Sequence, residues 1–153
     1  MVIGIDWDNT YRMELASKVG ADLVLGKGDD IASRILEATE GRGVDNSCEF
    51  SGSPVALSNC IRSTRLGGYV NVLSVYGQQE PNVPMNELVF RYLHLKGING
   101  RKMWSTWDTM HELLEKGAIN VDAILTHRLP VSRFIEGIQL SASGECGKVV
   151  LDF

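Results

Sequence analysis

Short apolar runs and amphipathic stretches alternate along this 153-residue chain with little interruption, and that pattern restricts it to a parallel sheet covered by helices on both faces. Val2 to Asp6 opens as a strand. Tyr11, Leu15 and Val19 recur at i, i+4, i+8 and predict a helix that Gly20 closes. A strand is predicted over Ala21 to Leu25, a helix through Ile31, Ile35 and Ala38 ending near Gly41, and a strand over Val44 to Phe50. Ser53-Pro54 restarts a helix, with Ser supplying the capping oxygen and Pro the preset φ; Ala56, Cys60, Ile61 and Thr64 follow on one face, and Gly67-Gly68 ends it.

Tyr69 to Val75 then reads as a strand, and Leu88 to Ile98 contains another after the loop bearing Pro81 and Pro84. The longest helix carries Met103, Trp107, Met110 and Leu114 at i, i+4, i+7, i+11 and stops at Gly117; that spacing points to a core or subunit contact rather than a cofactor box, and the core is the reading taken. Val121 to Leu129 reads as extended, Ser132 as the cap of a helix with Phe134, Ile135 and Ile138, and Gly147 to Phe153 as a closing strand. Regular alternation weakens near Gly100, but no linker rich in Pro, Gly or Ser separates two domains.

Composition narrows the classes of partner. Hydrophobic residues make up 44% and charged residues 22%, as in globular domains, and a net charge of -4 argues against nucleic acid. No apolar run approaches the roughly 20 residues that span a bilayer, so no membrane association and a cytoplasmic location are expected. Cys48, Cys60 and Cys146 are odd in number without C-x-x-C spacing, and His94, His111 and His127 are scattered. Neither a disulfide framework nor a metal site is expected.

The run Val2-Ile3-Gly4-Ile5-Asp6 carries the chemistry. In a dinucleotide-binding fold the second β-α unit has this form: an apolar strand ends in an acid, which takes a ribose hydroxyl, and leads through a polar turn into an amphipathic helix. The first unit of such a fold carries the glycine loop, G-x-G-x-x-G, which brings backbone amides to a pyrophosphate. Gly26-Lys27-Gly28-Asp29-Asp30-Ile31 has Ile in place of the third glycine and two carboxylates where phosphates would sit, which predicts an ordinary turn. The fold class expected is α/β, a partial Rossmann-type doubly wound parallel sheet lacking the first β-α unit and its glycine loop. In the strand order 3-2-1-4-5-6, a missing strand 1 separates the strand ending at Asp6 from Val44 to Phe50. Either these two strands pair directly, or a second copy of the chain covers the exposed edge.

Several segments resemble the zinc-dependent medium-chain dehydrogenase/reductase superfamily, and within it the C-terminal part of the L-threonine 3-dehydrogenase family. They are Tyr11-Arg12-Met13-Glu14-Leu15-Ala16, Val19-Gly20-Ala21-Asp22, Gly43-Val44-Asp45, Glu49-Phe50-Ser51-Gly52-Ser53-Pro54, Lys96-Gly97-Ile98-Asn99-Gly100-Arg101, Thr106-Trp107, Ile124-Leu125-Thr126-His127 and Gly147-Lys148-Val149-Val150. The resemblance implies a single truncated dinucleotide-binding domain over 1–153, in which 101–153 includes the segment that returns to the family's catalytic domain.

It further implies that Asp6 takes the adenosine ribose hydroxyls, with Arg12 on the same ribose, and that this acid selects NAD over NADP by repelling a 2′-phosphate. Asp6 lies one residue further from Tyr11-Arg12 than is usual in the family, so Asp8 competes for the role; either acid also suits a helix start near the dipole. Leu73, Ser74 and Val75 match the loop beside the nicotinamide ribose, Ile98 and Asn99 the backbone that holds the carboxamide, and Ser51 and Gly52 lie near the adenine cleft by the same resemblance. Zinc ligands and the proton relay belong to the family's N-terminal catalytic domain, so no catalytic or metal residue is assigned to this chain.

Two functional readings are open. The first is the NAD-binding portion of an L-threonine 3-dehydrogenase-like alcohol dehydrogenase, or of a related polyol dehydrogenase, inactive as this isolated chain. The second is a non-catalytic, oligomeric Rossmann-like module. Both expect a homo-oligomer, at least a dimer, through the strand near Leu93 to Ile98.

Overall fold

A computed structural model describes residues 1–77 and 80–153. In chain order the elements are β1 (Ile3–Ile5), α1 (Thr10–Lys18), β2 (Leu23–Leu25), α2 (Ile31–Ala38), β3 (Val44–Glu49), α3 (Pro54–Ser63), β4 (Thr64–Val72), α4 (Met85–Phe90), β5 (His94–Gly97), α5 (Ser105–Glu115), β6 (Leu125–Pro130), α6 (Phe134–Ser143) and β7 (Lys148–Asp152). A 3-10 turn over Val131–Arg133 precedes α6. The strands form three parallel sheets, β1-β2, β3-β4-β5 and β6-β7. The alternation read from the sequence is therefore an α/β fold with parallel pairing throughout the described residues. The elements gather into a central unit, Asp30–Arg101, and a terminal unit, Met1–Asp29 with Lys102–Phe153.

In the central unit, β3, β4 and β5 lie side by side with Glu49 opposite Val72 and Val72 opposite Gly97, so their carboxyl ends reach one edge in register. Leu57 and Ile61 of α3 pack with Val70 of β4 and Leu93, forming the core, which Cys60, Val72, Tyr76, Val83 and Leu88 surround. Ser53 caps α3 by accepting a hydrogen bond from the Ala56 amide, and Pro54 opens the helix, as its sequence predicts.

Helix α3 stops earlier than Gly67-Gly68. It ends at Ser63, and Thr64 already begins β4. The Arg91 guanidinium donates to the carbonyls of Ile61, Arg62 and Thr64, satisfying the end of the helix from outside. The two glycines instead lie within β4, where the register shifts between Val44 and Asn46 of its partner. A Cβ on Gly68 would stand 3.0 Å from the Asp45 carbonyl oxygen, so the residue serves close strand approach. The segment Leu88 to Ile98 also differs: its first residues belong to α4, a helix too short to show periodicity, and the strand is confined to His94–Gly97.

In the terminal unit, β1 pairs with β2 from Ile3 opposite Leu23 to Ile5 opposite Leu25, and β6 pairs with β7. Asn9 caps α1 by accepting from the Arg12 amide at 2.9 Å, while its side-chain amide donates to the Gly144 carbonyl at 3.0 Å. Gly144 closes α6 in the left-handed conformation at φ 78°. Ser132 is not the cap of α6; it lies in the 3-10 turn, and the helix begins at Phe134 with no side-chain cap. Val121 to Leu129 is only partly extended, because the Ile124 amide turns back to the Val121 carbonyl before β6 starts.

The helix through Trp107 is the longest and ends before Gly117, but its stripe does not face a core. Met103 lies before the helix, which begins at Ser105, and is 58% exposed; Trp107, Met110 and Leu114 on it are 53%, 45% and 39% exposed. Helical spacing fixes which residues share a face, not whether a second surface covers that face. Within the units, β1 has β2 as its hydrogen-bonded neighbour and β3 has β4.

Candidate functional site

The carboxyl edge of β3-β4-β5 gathers most of the residues singled out by sequence. Ser51 and Gly52 come after β3, Leu73, Ser74 and Val75 after β4, and Ile98 and Asn99 after β5. Their arrangement comes from strand register: the Leu73 amide donates to the Glu49 carbonyl at 3.0 Å and the Ile98 amide to the Val72 carbonyl at 2.8 Å, carrying the ladder one step past the strands. Ser74 and Ile98 are half-buried, whereas Leu73, Val75 and Asn99 are exposed. An edge where parallel strands deliver loops and backbone groups is where open α/β sheets take ligands.

Glu49, the last residue of β3, has no role assigned by its sequence pattern alone. It is 2% exposed. Its carboxylate accepts from the Ser51 amide at 2.7 Å, the Gly52 amide at 3.1 Å and the Tyr76 hydroxyl at 3.0 Å, and from the Ser74 hydroxyl. Burial pushes its carboxyl upward, but the bonds from Ser51, Ser74 and Tyr76 outweigh that and hold it below the usual glutamate value. The strand it ends, Val-Asp-Asn-Ser-Cys-Glu, is largely polar, so the signal that singles out Asp6, an acid closing an apolar run, is missing at Glu49.

Gly52 is required where it stands. Its φ is 72°, and a Cβ there would lie 2.8 Å from the Val75 carbonyl oxygen, so the loops after β3 and β4 meet backbone to backbone. Cys60, on α3 beneath them, has its thiol pushed up to about 11, first by burial and further by the Glu49 charge, which makes it an inert packing group at neutral pH.

In the terminal unit, Asp6 directly succeeds β1, half-buried, with its amide donating to the Leu25 carbonyl at 3.2 Å. Arg12 sits in the first turn of α1 and is exposed. Asp8 is held by Lys27 at 2.9 Å on the open surface. The Gly26–Gly28 segment is a turn, and its Gly26 amide donates to the Asp29 carboxylate at 2.9 Å, where a phosphate oxygen would otherwise be received. The Gly26–Gly28 turn, its first amide already taken by Asp29, does not fit a pyrophosphate cradle. Among the described residues no group of three or more His, Cys, Asp or Glu side chains could hold a metal ion. Among them, too, no helix is long and apolar enough to cross a membrane.

The family model for zinc-binding dehydrogenases matches residues 1–116. The L-threonine 3-dehydrogenase of Bacillus licheniformis is 39% identical over 156 residues, covering 98% of this chain and 43% of the relative. That of Pyrococcus horikoshii is 37% identical over 142 residues, covering 92% and 41%. Among solved structures, 2R,3R-butanediol dehydrogenase from Bacillus subtilis superposes with a TM-score of 0.88 at 24% identity over 99% of this chain and 43% of its own, a likeness of fold. The chain thus spans less than half the length of the relatives it matches.

Proposed function

The chain belongs to the zinc-binding dehydrogenase family, and from that premise we propose that it is the NAD-binding portion of an L-threonine 3-dehydrogenase-like alcohol dehydrogenase. The observation that carries the reading is the convergence of Ser51-Gly52, Leu73-Ser74-Val75 and Ile98-Asn99 on one carboxyl edge of a parallel sheet. In the central unit, the backbone of Leu73 to Val75 would hold the nicotinamide ribose, and Ile98 and Asn99 the carboxamide. In the terminal unit, Asp6 would accept the adenosine ribose hydroxyls with Arg12 beside it, since Asp8 is already engaged by Lys27. NAD supplies the hydride acceptor for oxidation of a secondary alcohol; this chain's residues bind and orient it. Polarising the alcohol is left to a metal site outside these residues. The location proposed is the cytoplasm.

The protein acts as a homodimer or larger on this reading. Among the described residues strand β5 ends its sheet with one side unpaired, and all four of its residues are exposed, a template for a two-fold mate. The experiment is an NMR titration of the 153-residue chain with NAD and with NADP. Because the Gly26–Gly28 turn offers no phosphate cradle, binding is expected at millimolar rather than micromolar concentration, with shifts at Asp6, Arg12, Ser74, Val75, Ile98 and Asn99. NADP should move Asp6 and Arg12 less. Shifts confined to surfaces away from both strand edges would overturn the reading.

A further inference from the structure

Two loops leave the neighbouring strands β3 and β4, and a single buried carboxylate accepts hydrogen bonds from both. Ser51 and Gly52 donate their amides to Glu49 from the first loop, at 2.7 and 3.1 Å. Ser74 and Tyr76 donate their hydroxyls from the second, 25 and 27 residues further along. A carboxylate that is 2% exposed has lost its water and must find this many donors in the protein. The same loops touch through Gly52 and the Val75 carbonyl, a spacing that leaves no room for a side chain.

We infer that Glu49 is a positioning residue, which fixes the 73–76 loop against the 51–53 loop and so sets the backbone that faces the nicotinamide ribose; the last clause rests on the function proposed above. A merely local role, closing the turn at Ser51 and Gly52, would leave Ser74 and Tyr76 indifferent to the carboxylate. The two roles predict different long-range behaviour.

Amide hydrogen exchange at neutral pH on the full chain, without ligand, separates them. Glu49→Gln should speed exchange by about tenfold or more at Ser51 and Gly52 and together across 73–76, leaving α3 protected. Ser74→Ala deletes one hydroxyl on the second loop and should speed exchange at Ser51 and Gly52 on the first. The Tyr76 phenol is held above its usual value by burial and by the bond to Glu49, so its ultraviolet titration should move down in Glu49→Gln. Acceleration limited to Ser51 and Gly52 in Glu49→Gln, or unchanged exchange there in Ser74→Ala, would overturn the inference. If Glu49→Gln does not fold, the Ser74→Ala comparison decides alone. NAD added to the same proteins tests the cofactor reading by itself: no response to NAD with the loops still coupled would sink that reading and leave the positioning role standing.

Discussion

The central and terminal units are built from the same alternation of strand and helix but bury it differently. In the central unit Ile61 and Val70 are fully enclosed, and Leu57 and Leu93 complete a contiguous core. In the terminal unit the buried apolar residues among those described are Leu25, Leu129 and Cys146, while every residue of α5 is half-buried or exposed and Phe134 and Ile138 of α6 are 47% and 60% exposed. A periodic apolar stripe records that a face was selected for burial; only a covering surface makes it core. The terminal unit's own segments do not supply enough of that surface. The central unit does, and the residues with a chemical arrangement lie there.

The largest test of this contrast is a pair of truncations. Ile61→Ala removes a side chain with no exposure and should cost on the order of 3 kcal/mol through lost burial and the cavity left behind. Met110→Ala, on the α5 stripe, should change stability by less than about 0.5 kcal/mol. Urea denaturation measures both. Equal losses would mean that the α5 face is as well packed as the central core.

A smaller effect should appear with acid. The Glu49 carboxyl ionises more readily in the folded chain than in the unfolded one, so its contribution to stability is fully present above the unfolded value near 4.5 and drains as pH falls through the depressed folded value. Asp152 in the terminal unit is lowered too, by its hydrogen bond from Arg128, but that pair stands in solvent and should matter far less. Urea midpoints measured from neutral pH downward should fall less steeply in Glu49→Gln than in the native chain, and no less steeply in Asp152→Asn. Parallel curves for native and Glu49→Gln would remove Glu49 as the acid-sensitive group.

The third test concerns the edge of the better-packed unit. If β5 pairs with a two-fold mate, Leu95→Lys, at a position 43% exposed, should weaken self-association by at least about tenfold through charge repulsion across the seam. Sedimentation equilibrium reads this directly. A clean monomer of 16.8 kDa for the native chain at high micromolar concentration would end the proposal.

Legibility in the sequence differs by feature. The Ser53-Pro54 cap, the strand beginning at Val44 and the turn at Gly26–Gly28 are readable because each depends on neighbours in sequence. The end of α3 is not, because it is closed by Arg91, nearly 30 residues away. Exposure of the Trp107 face is equally hidden, since periodicity carries no information about a partner surface. Among candidate site residues, the loops after β4 and β5 fall together through register, which a sequence shows only once strand pairing is assumed. The role of Glu49 is invisible in sequence because its partners Ser74 and Tyr76 lie on the next strand's loop.

The smallest expected effect separates the two acids of the terminal unit. Asp8 meets Lys27 at 2.9 Å with both side chains more than half exposed, so the pair exchanges protein contact for water at little gain. Asp8→Asn should shift the urea midpoint by an amount equivalent to less than about 0.5 kcal/mol, and that shift should vanish at high salt. The same substitution should leave the difference between NAD and NADP shifts intact, because Asp6, half-buried at the end of β1, is the acid proposed to meet the ribose. Asp6→Ser should erase that difference while changing stability little. If Asp8→Asn erases it instead, the ribose acid is Asp8, and the ion pair with Lys27 must open for the cofactor to bind.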